Sequence, residues 1–293
     1  MKAVFTTKVG SGYDDIVEKR YHFPEAYLNQ VRSAVGDSII YYEPRRTASA
    51  PTGGLQAYFA IARVLGIEPD PRRSDRYFAR IADYLDFHHT VPFRADGEYF
   101  ESGLQRDDGG TSKGAFGRAV RNIPDEEFEN ICARGFAAID AFPTNEPATG
   151  FEEPPQAEFT RPIVEITVSR PFRDRAFSWL VQQAYDRTCA ITGLQIINGG
   201  GRPEVQAAHI QAVADDGPDS VRNGLALSGT IHWMFDRGLI SVADDHRILT
   251  SRKIPDRVRS LINPTGYLIV PKDPHFQPHP YYLNHHREEV FKE

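Results

Sequence analysis

Four side chains in the second half of the chain are of the types that move protons or hold cations: His209 in AAHI, Asn223 opening NGLAL, and His232 with Asp236 in HWMFDRG. An imidazole titrates near neutral pH, so a neutral His209 can take a proton from water. If the segment from Thr230 is helical, His232 and Asp236 stand four apart on one face and can address a common atom. That atom is a metal ion in one reading, and the pair is a solvated helix pairing in the other. Taken singly, His209 also reads as a hydrogen-bonded structural histidine and Asn223 as a turn former. Cys132 and Cys189 fall in different halves and make no CxxC pair. They argue against a disulfide framework and a cysteine-built zinc site, so any metal rests on His, Asp, Glu or Asn.

These residues need elements to position them. In PFRDRAFSWLVQQAYDRTCAITG the apolar Phe177, Leu180, Val181 and Ala184 recur at helical spacing, which predicts an amphipathic helix over 172–185. A hairpin-like region then runs to EVQAAHIQAV and places His209 at a strand end. NGLAL reads as the partner strand, and the amide of Asn223 can bridge the backbone of the intervening loop ADDGPDSVR. Upstream, PTNEPATGFEEPP combines four prolines with a glycine and acidic residues, which reads as a linker. The expected organisation is a domain over 1–142, an acidic linker over 143–160 and a second domain over 161–293. In the first part KAVFTTK, DSIIYYEP and AYFAIARVLGIEPD read as strands, with FPEAYLNQVRSAVGD a helix closed by Gly36. The tail PHPYYLNHHREEVFKE reads as extended. The adjacent pairs His88/His89 and His285/His286 read as solvated, with diverging side chains.

The combined string CAITG, AAHI, RNGLAL, HWMFDRG, within about residues 165–250, resembles the HNH nuclease family, and in particular its branch in predicted restriction endonucleases. The resemblance implies a ββα-metal fold and phosphodiester hydrolysis in double-stranded DNA. It implies His209 as general base, Asn223 as the residue fixing the base-bearing strand, and His232 with Asp236 as ligands of a divalent metal, Mg²⁺ or Mn²⁺. One position departs: the residue before the base histidine, a metal ligand in many members, is Ala208. Coordination would then rely on His232, Asp236, the DNA phosphate and water. Arg222 and Arg237 flank the site as phosphate contacts or as surface ion-pair partners.

The first half is similar, over roughly residues 1–135, to the PUA-like superfamily that includes the EVE modified-base readers, on the order of AVGDSIIYYEPRR and AYFAIARVLGIEPDP. That resemblance implies a mostly-β barrel whose pocket accepts a base flipped from the duplex. Tyr41, Tyr42, Tyr58 and Phe59 are the aromatics nearest the motif, and Arg45 and Arg46 are candidate phosphate contacts. Strand alternation lets only one of Tyr41 and Tyr42 face a pocket, and each aromatic also reads as core. In SKGAFGRAVRNI, Lys113, Arg118 and Arg121 read as a backbone-binding loop or as a solvated turn. The fold expectation is therefore α+β, a PUA-like mostly-β barrel followed by an HNH domain. The function expectation is a modification-dependent restriction enzyme reading a modified cytosine. Its rivals are an HNH nuclease acting on unmodified DNA and a non-catalytic reader with a scaffold HNH-like domain. Cutting both strands needs two active sites, so a homodimer on DNA is a further expectation.

Composition bounds these readings. A chain of 293 residues with 40% hydrophobic content supports two ordinary packed domains. Its net charge of −6 gives no general attraction to a polyanion. The charge is uneven: residues 146–160 hold four carboxylates and no Lys or Arg, whereas 161–253 carries eleven basic against ten acidic residues. Local patches must supply any DNA contact. No stretch approaches the roughly 20 apolar residues of a membrane span, and MKAVFTTKVGSGYDD lacks a signal-like apolar core. A cytoplasmic location without membrane partners is expected.

Overall fold

The computed structural model describes residues 1–7, 15–45, 54–137 and 169–293. Arg46 and the acidic stretch 143–160 lie outside the described residues. The chain forms two compact units, Met1–Arg173 and Asp174–Glu293.

The first unit is built on a six-stranded sheet. Its strands are β1 (Ala3–Thr6), β2 (Arg20–Pro24), β3 (Ser38–Glu43), β4 (Ala57–Pro69), β5 (Arg76–Pro92) and, after a small ladder of β6 (Arg94–Ala95) and β7 (Glu98–Tyr99), β8 (Val120–Asn122). The order is β2-β5-β4-β3-β1-β8, with β1 and β3 parallel and the other pairs antiparallel. Between β2 and β3 the chain passes through helix α1 (Leu28–Ser33) and turns at Gly36, whose φ of +82° suits a residue without a Cβ.

β4 and β5 are long, 13 and 17 residues, and their ladder shifts register at three places. Each bulge adds local twist, so the sheet curls rather than lying flat. The curl brings the edges together: the Tyr21 hydroxyl on β2 lies 3.0 Å from the Thr6 carbonyl and 3.2 Å from the Ala119 carbonyl at the far edge. No ladder joins β2 to β8 among the described residues. The first unit is therefore a curled half-barrel, in keeping with the mostly-β domain that the sequence led us to expect.

Every residue of β3 is buried, because side chains pointing both ways are covered. Phe5, Tyr21, Phe23, Ile39, Tyr41 and Tyr84 pack together on one face. Helix α2 (Lys113–Phe116) leads into β8, and α3 (Asp125–Gly135) packs on β5, with Gly135 so close to Phe87 that a Cβ there would stand 2.6 Å from its ring. The bulge in β5 where pairing jumps from Asp86 to Val91 also accounts for His88 and His89. Their rings do not diverge but lie 3.9 Å apart, since a bulge breaks strand alternation. Burial, then the neighbouring His89, pushes the His88 pKa down to about 4.

The second unit begins within helix α4 (Arg170–Ala184). Hairpin strands β9 (Gln206–His209) and β10 (Gly224–Leu227) follow, then helix α5 (Gly229–Asp236). A second hairpin, β11 (Ile240–Val242) with β12 (Ile248–Thr250), and the short helix α6 (Asp256–Arg259) lead to a terminal helix α7 (Pro280–Glu289). One core joins them: Phe177, Val181, Ala208, Leu225, Phe235 and Leu283 are all buried in it.

The tail is helical, not extended. Pro280 sits at the first helical position and the His279 ring accepts the Tyr281 N–H, an N-terminal cap that offsets the run of prolines before it. His286 is buried rather than solvated. It stacks on Phe235 at 3.8 Å and bonds Ser241 Oγ at 2.9 Å and the Phe235 carbonyl at 3.1 Å. No helix among the described residues is long and apolar enough to cross a membrane.

Candidate active site

His209 closes β9, directly across the ladder from Gly224. Its ring stacks on Phe177 of α4 with centroids 3.9 Å apart. Gly224 makes that approach possible, because a Cβ there would stand 2.4 Å from Val181 Cγ2 and 3.2 Å from the Phe177 ring. On the ring's other edge, Nε2 lies 3.0 Å from Oδ1 of Asp219, a wholly buried carboxylate. An ionised carboxylate only accepts, so it holds the proton on Nε2 and leaves the lone pair on Nδ1.

Asn223 is fully buried and its amide serves the loop. Oδ1 accepts the Gln211 N–H at 2.9 Å, while Nδ2 donates to the carbonyls of Gln211 and Pro218, each at 3.0 Å. The loop closes tightly at Gly217, where a Cβ would fall 1.9 Å from the Gln211 carbonyl oxygen. That closure returns the chain so that Asp219 meets His209, ten positions earlier in sequence.

His232 and Asp236 lie on one face of α5, with Nε2 and Oδ2 3.5 Å apart. The Gln206 side-chain oxygen sits 2.9 Å from His232 Nδ1 and accepts its proton. His232 Nε2 then offers a lone pair toward a carboxylate, and two electron-pair donors facing each other favour a cation between them. The pair fits a metal in this respect, and would supply two protein ligands. Among the described residues no group of three or more His, Cys, Asp or Glu is arranged to hold a metal ion. Ala208, the departure noted in the sequence, is buried in the core opposite Leu225. Alternation directs Gln206 and Ala208 to one face of β9 and His209 to the other, so His209 keeps separate partners from His232 and Asp236.

Residues 189–243 match the HNH endonuclease family. This segment is an HNH endonuclease domain. No curated protein matches the chain. Among solved structures, the chain is similar to a modification-dependent TagI restriction endonuclease at 15% identity, covering 98% of this chain and 81% of that one with a TM-score of 0.31. It is also similar to the N-terminal domain of McrB from Staphylothermus marinus, at 13% identity over 45% of this chain and 93% of that one, TM-score 0.33. The phosphorothioation-dependent Type IV restriction endonuclease ScoMcrA follows at 14% identity, 97% and 57% coverage and a TM-score of 0.21. The HNH segment opens at Cys189 in the buried knuckle before the hairpin and ends just past β11, so it contains His209, Asp219, Asn223, His232 and Asp236.

The remaining sequence candidates divide. Arg45, Lys113, Arg118 and Arg237 are exposed, and Arg222 is half-buried. Arg121 is not a surface cation: it is buried, with Nε and Nη2 on the Glu101 carboxylate at 2.7 and 2.8 Å and Nη1 on Thr6 Oγ1 at 2.9 Å. Burial works against its charge, but the Glu101 hydrogen bonds outweigh it and raise the Arg121 pKa. Tyr58 donates to the same carboxylate at 2.7 Å, and Tyr42 packs on Tyr58 and Phe116. Tyr41, Tyr42 and Tyr58 are all fully buried. Phe59 is partly buried and stacks on Tyr41 at 5.9 Å. Asp219, Gln206 and Phe177 are site residues that sequence reasoning did not single out as such.

Proposed function

We propose that the chain hydrolyses phosphodiester bonds of double-stranded DNA with His209 as general base, and that its first unit selects a modified base. The observation that carries the catalytic half is the His209–Asp219 pair within the HNH segment. In this reading Nδ1 of His209 takes a proton from water, the water oxygen bonds to phosphorus, and the bond to the leaving oxygen breaks. Asp219 holds the tautomer, Phe177 holds the ring plane, and Asn223 holds the loop that carries Asp219. His232 and Asp236 would hold a divalent ion, Mg²⁺ or Mn²⁺, with phosphate and water completing its shell. Such an ion would supply charge stabilisation at the phosphate and the leaving oxygen.

Support for base selection comes from the interior of the half-barrel. The Tyr41 hydroxyl is buried and has no hydrogen-bond partner among the described residues. Burial first, then the charge of Asp15, raises its pKa, so it stays a neutral donor that could meet the edge of a flipped base. A modified cytosine is the substrate this reading favours. The full burial of Tyr41, Tyr42 and Tyr58 favours a second reading, an HNH nuclease that cuts plain DNA. Incubating the protein with modified and unmodified plasmid plus Mg²⁺ or Mn²⁺ separates them: cutting of modified plasmid alone supports selection, equal cutting supports the second, and no cutting of either overturns both. A homodimer would supply the two sites a double-strand cut needs.

A further inference from the structure

We propose that a cleft on the first unit, between β2 and the β4–β5 turn, is a docking face for the phosphate backbone of duplex DNA. It rests on the DNA-cleaving reading above. The cleft has a volume of about 610 Å³ and is lined by Lys19, Arg20, Arg72, Arg73 and Arg80, against the carboxylates of Glu68 and Asp70. Among the described lining residues five cations outnumber two carboxylates, on a chain whose net charge is −6. None of these five belongs to the basic stretches that the sequence singled out, because β2 and the turn meet only in the folded sheet.

The face is constructed rather than incidental. Asp70 accepts the Arg72 N–H at 2.8 Å, its carbonyl accepts from Arg73 at 3.3 Å, and its own N–H donates to the Arg76 carbonyl at 3.0 Å. Beneath it, His22 Nε2 lies 3.0 Å from Asp70 Oδ2, with both side chains almost wholly buried. Asp70 is thus committed to shaping the turn, and Arg72 and Arg73 are left exposed at its tip. Phe78 stacks on His22 at 4.5 Å and carries the Arg20 guanidinium 5.3 Å above its ring. This fixes one charge in place on an aromatic platform. Arg80 pairs with Glu68 at 3.0 Å, but both are more than half exposed, so the pair contributes little and can open toward a stronger anion. Cations spread along a strand edge and a turn suit a repeating phosphate chain better than a single small anion. Arginine is the side chain best matched to phosphate oxygens.

The test is binding of the full-length protein to short duplexes, plain and modified, across a salt series, without divalent metal. The double variant Arg72→Ala/Arg73→Ala should weaken binding to both duplexes by the same factor. It should also lower the slope of log Kd against log salt by about 2, close to one for each phosphate no longer neutralised. Lys19→Gln, just before β2 and away from the β4–β5 turn, should lower it by about 1 and guards against a defect of that turn. Unchanged affinity and slope in both variants, while the wild type binds, would overturn the docking face and leave the nuclease reading standing. Loss of discrimination alone would also overturn it. A wild type that binds no DNA would overturn both readings.

Discussion

At His209 the decisive feature is which nitrogen keeps the proton. In the proposed mechanism Asp219 accepts from Nε2 and the lone pair on Nδ1 serves as the base, so removing the ring would remove proton acceptance and leave the proposed phosphate contacts elsewhere in place. His209→Ala should cut cleavage by on the order of a hundredfold or more while DNA Kd stays near wild type. Asp219→Asn keeps the shape but lets the amide present either an oxygen or an NH₂ to the ring. Its kcat should fall by about tenfold, less than for His209→Ala, with KM held. Wild-type turnover in either variant would remove His209 or its orienting carboxylate from the mechanism. The His232 and Asp236 pair makes a separate prediction. If they hold the ion, His232→Ala and Asp236→Ala should each shift metal titration curves of cleavage to higher concentration, and unchanged titrations would place the ligands elsewhere. The types and spacing of His209, Asn223, His232 and Asp236 were legible in the sequence, because each carries a side chain suited to one task. Asp219 was not, since Asp215 and Asp216 lie in the same loop. Only the closure at Gly217 and the Asn223 bonds determine which of the three reaches the imidazole.

Elements hold those atoms through close approach and burial. Gly224 is the point where β10 lets α4 near enough for Phe177 to stack on His209. Its φ is not in the left-handed region, so the constraint is space alone. Gly224→Ala should overpack Val181 and Phe177, cost about 1–3 kcal/mol in a denaturant melt, and lower activity per folded molecule as the ring plane shifts. A variant with wild-type melting and turnover would show that the Phe177 stack is dispensable. The helix over 172–185 was readable from its apolar spacing, and it runs Arg170–Ala184. α7 was not, because prolines and paired histidines hide a capped start and a buried histidine. Burial, partly opposed by the Phe235 hydrogen bond, pushes the His286 pKa down to about 4. Between the unfolded value near 6.5 and 4, the unfolded chain binds the proton more readily. The contribution of His286 is therefore fully present above about pH 6.5 and is lost as pH falls toward 4, about 3 kcal/mol in all. Denaturant melts at pH 7 and pH 4 should differ by that much more in the wild type than in His286→Gln.

For the whole molecule, the sequence pointed to two folded parts joined by a proline-rich acidic stretch. The strands KAVFTTK, DSIIYYEP and AYFAIARVLGIEPD correspond to β1, β3 and β4. β5 escaped notice: its 17 residues include charged ones throughout and a bulge at the two histidines, which break the alternation by which strands are recognised. The curl, too, depends on bulges that no local pattern announces. The two units meet in sequence within α4, whose first turn precedes Asp174 while Phe177 belongs to the nuclease core. A C-terminal piece cut at 161 therefore keeps the helix whole, whereas one cut at 174 loses the turn on which it starts. We expect the piece 161–293 to cleave plain and modified duplexes alike, since in the proposed reading base selection belongs to the first unit. The piece 1–142 should bind a modified duplex more tightly than a plain one, and this preference should persist as salt rises, because salt weakens only the phosphate contacts common to both. Direct binding and cleavage assays on the two pieces decide the matter. Discrimination retained by 161–293 alone, or equal binding of both duplexes by 1–142, would transfer selection out of the half-barrel and leave the plain-DNA nuclease as the account of the molecule.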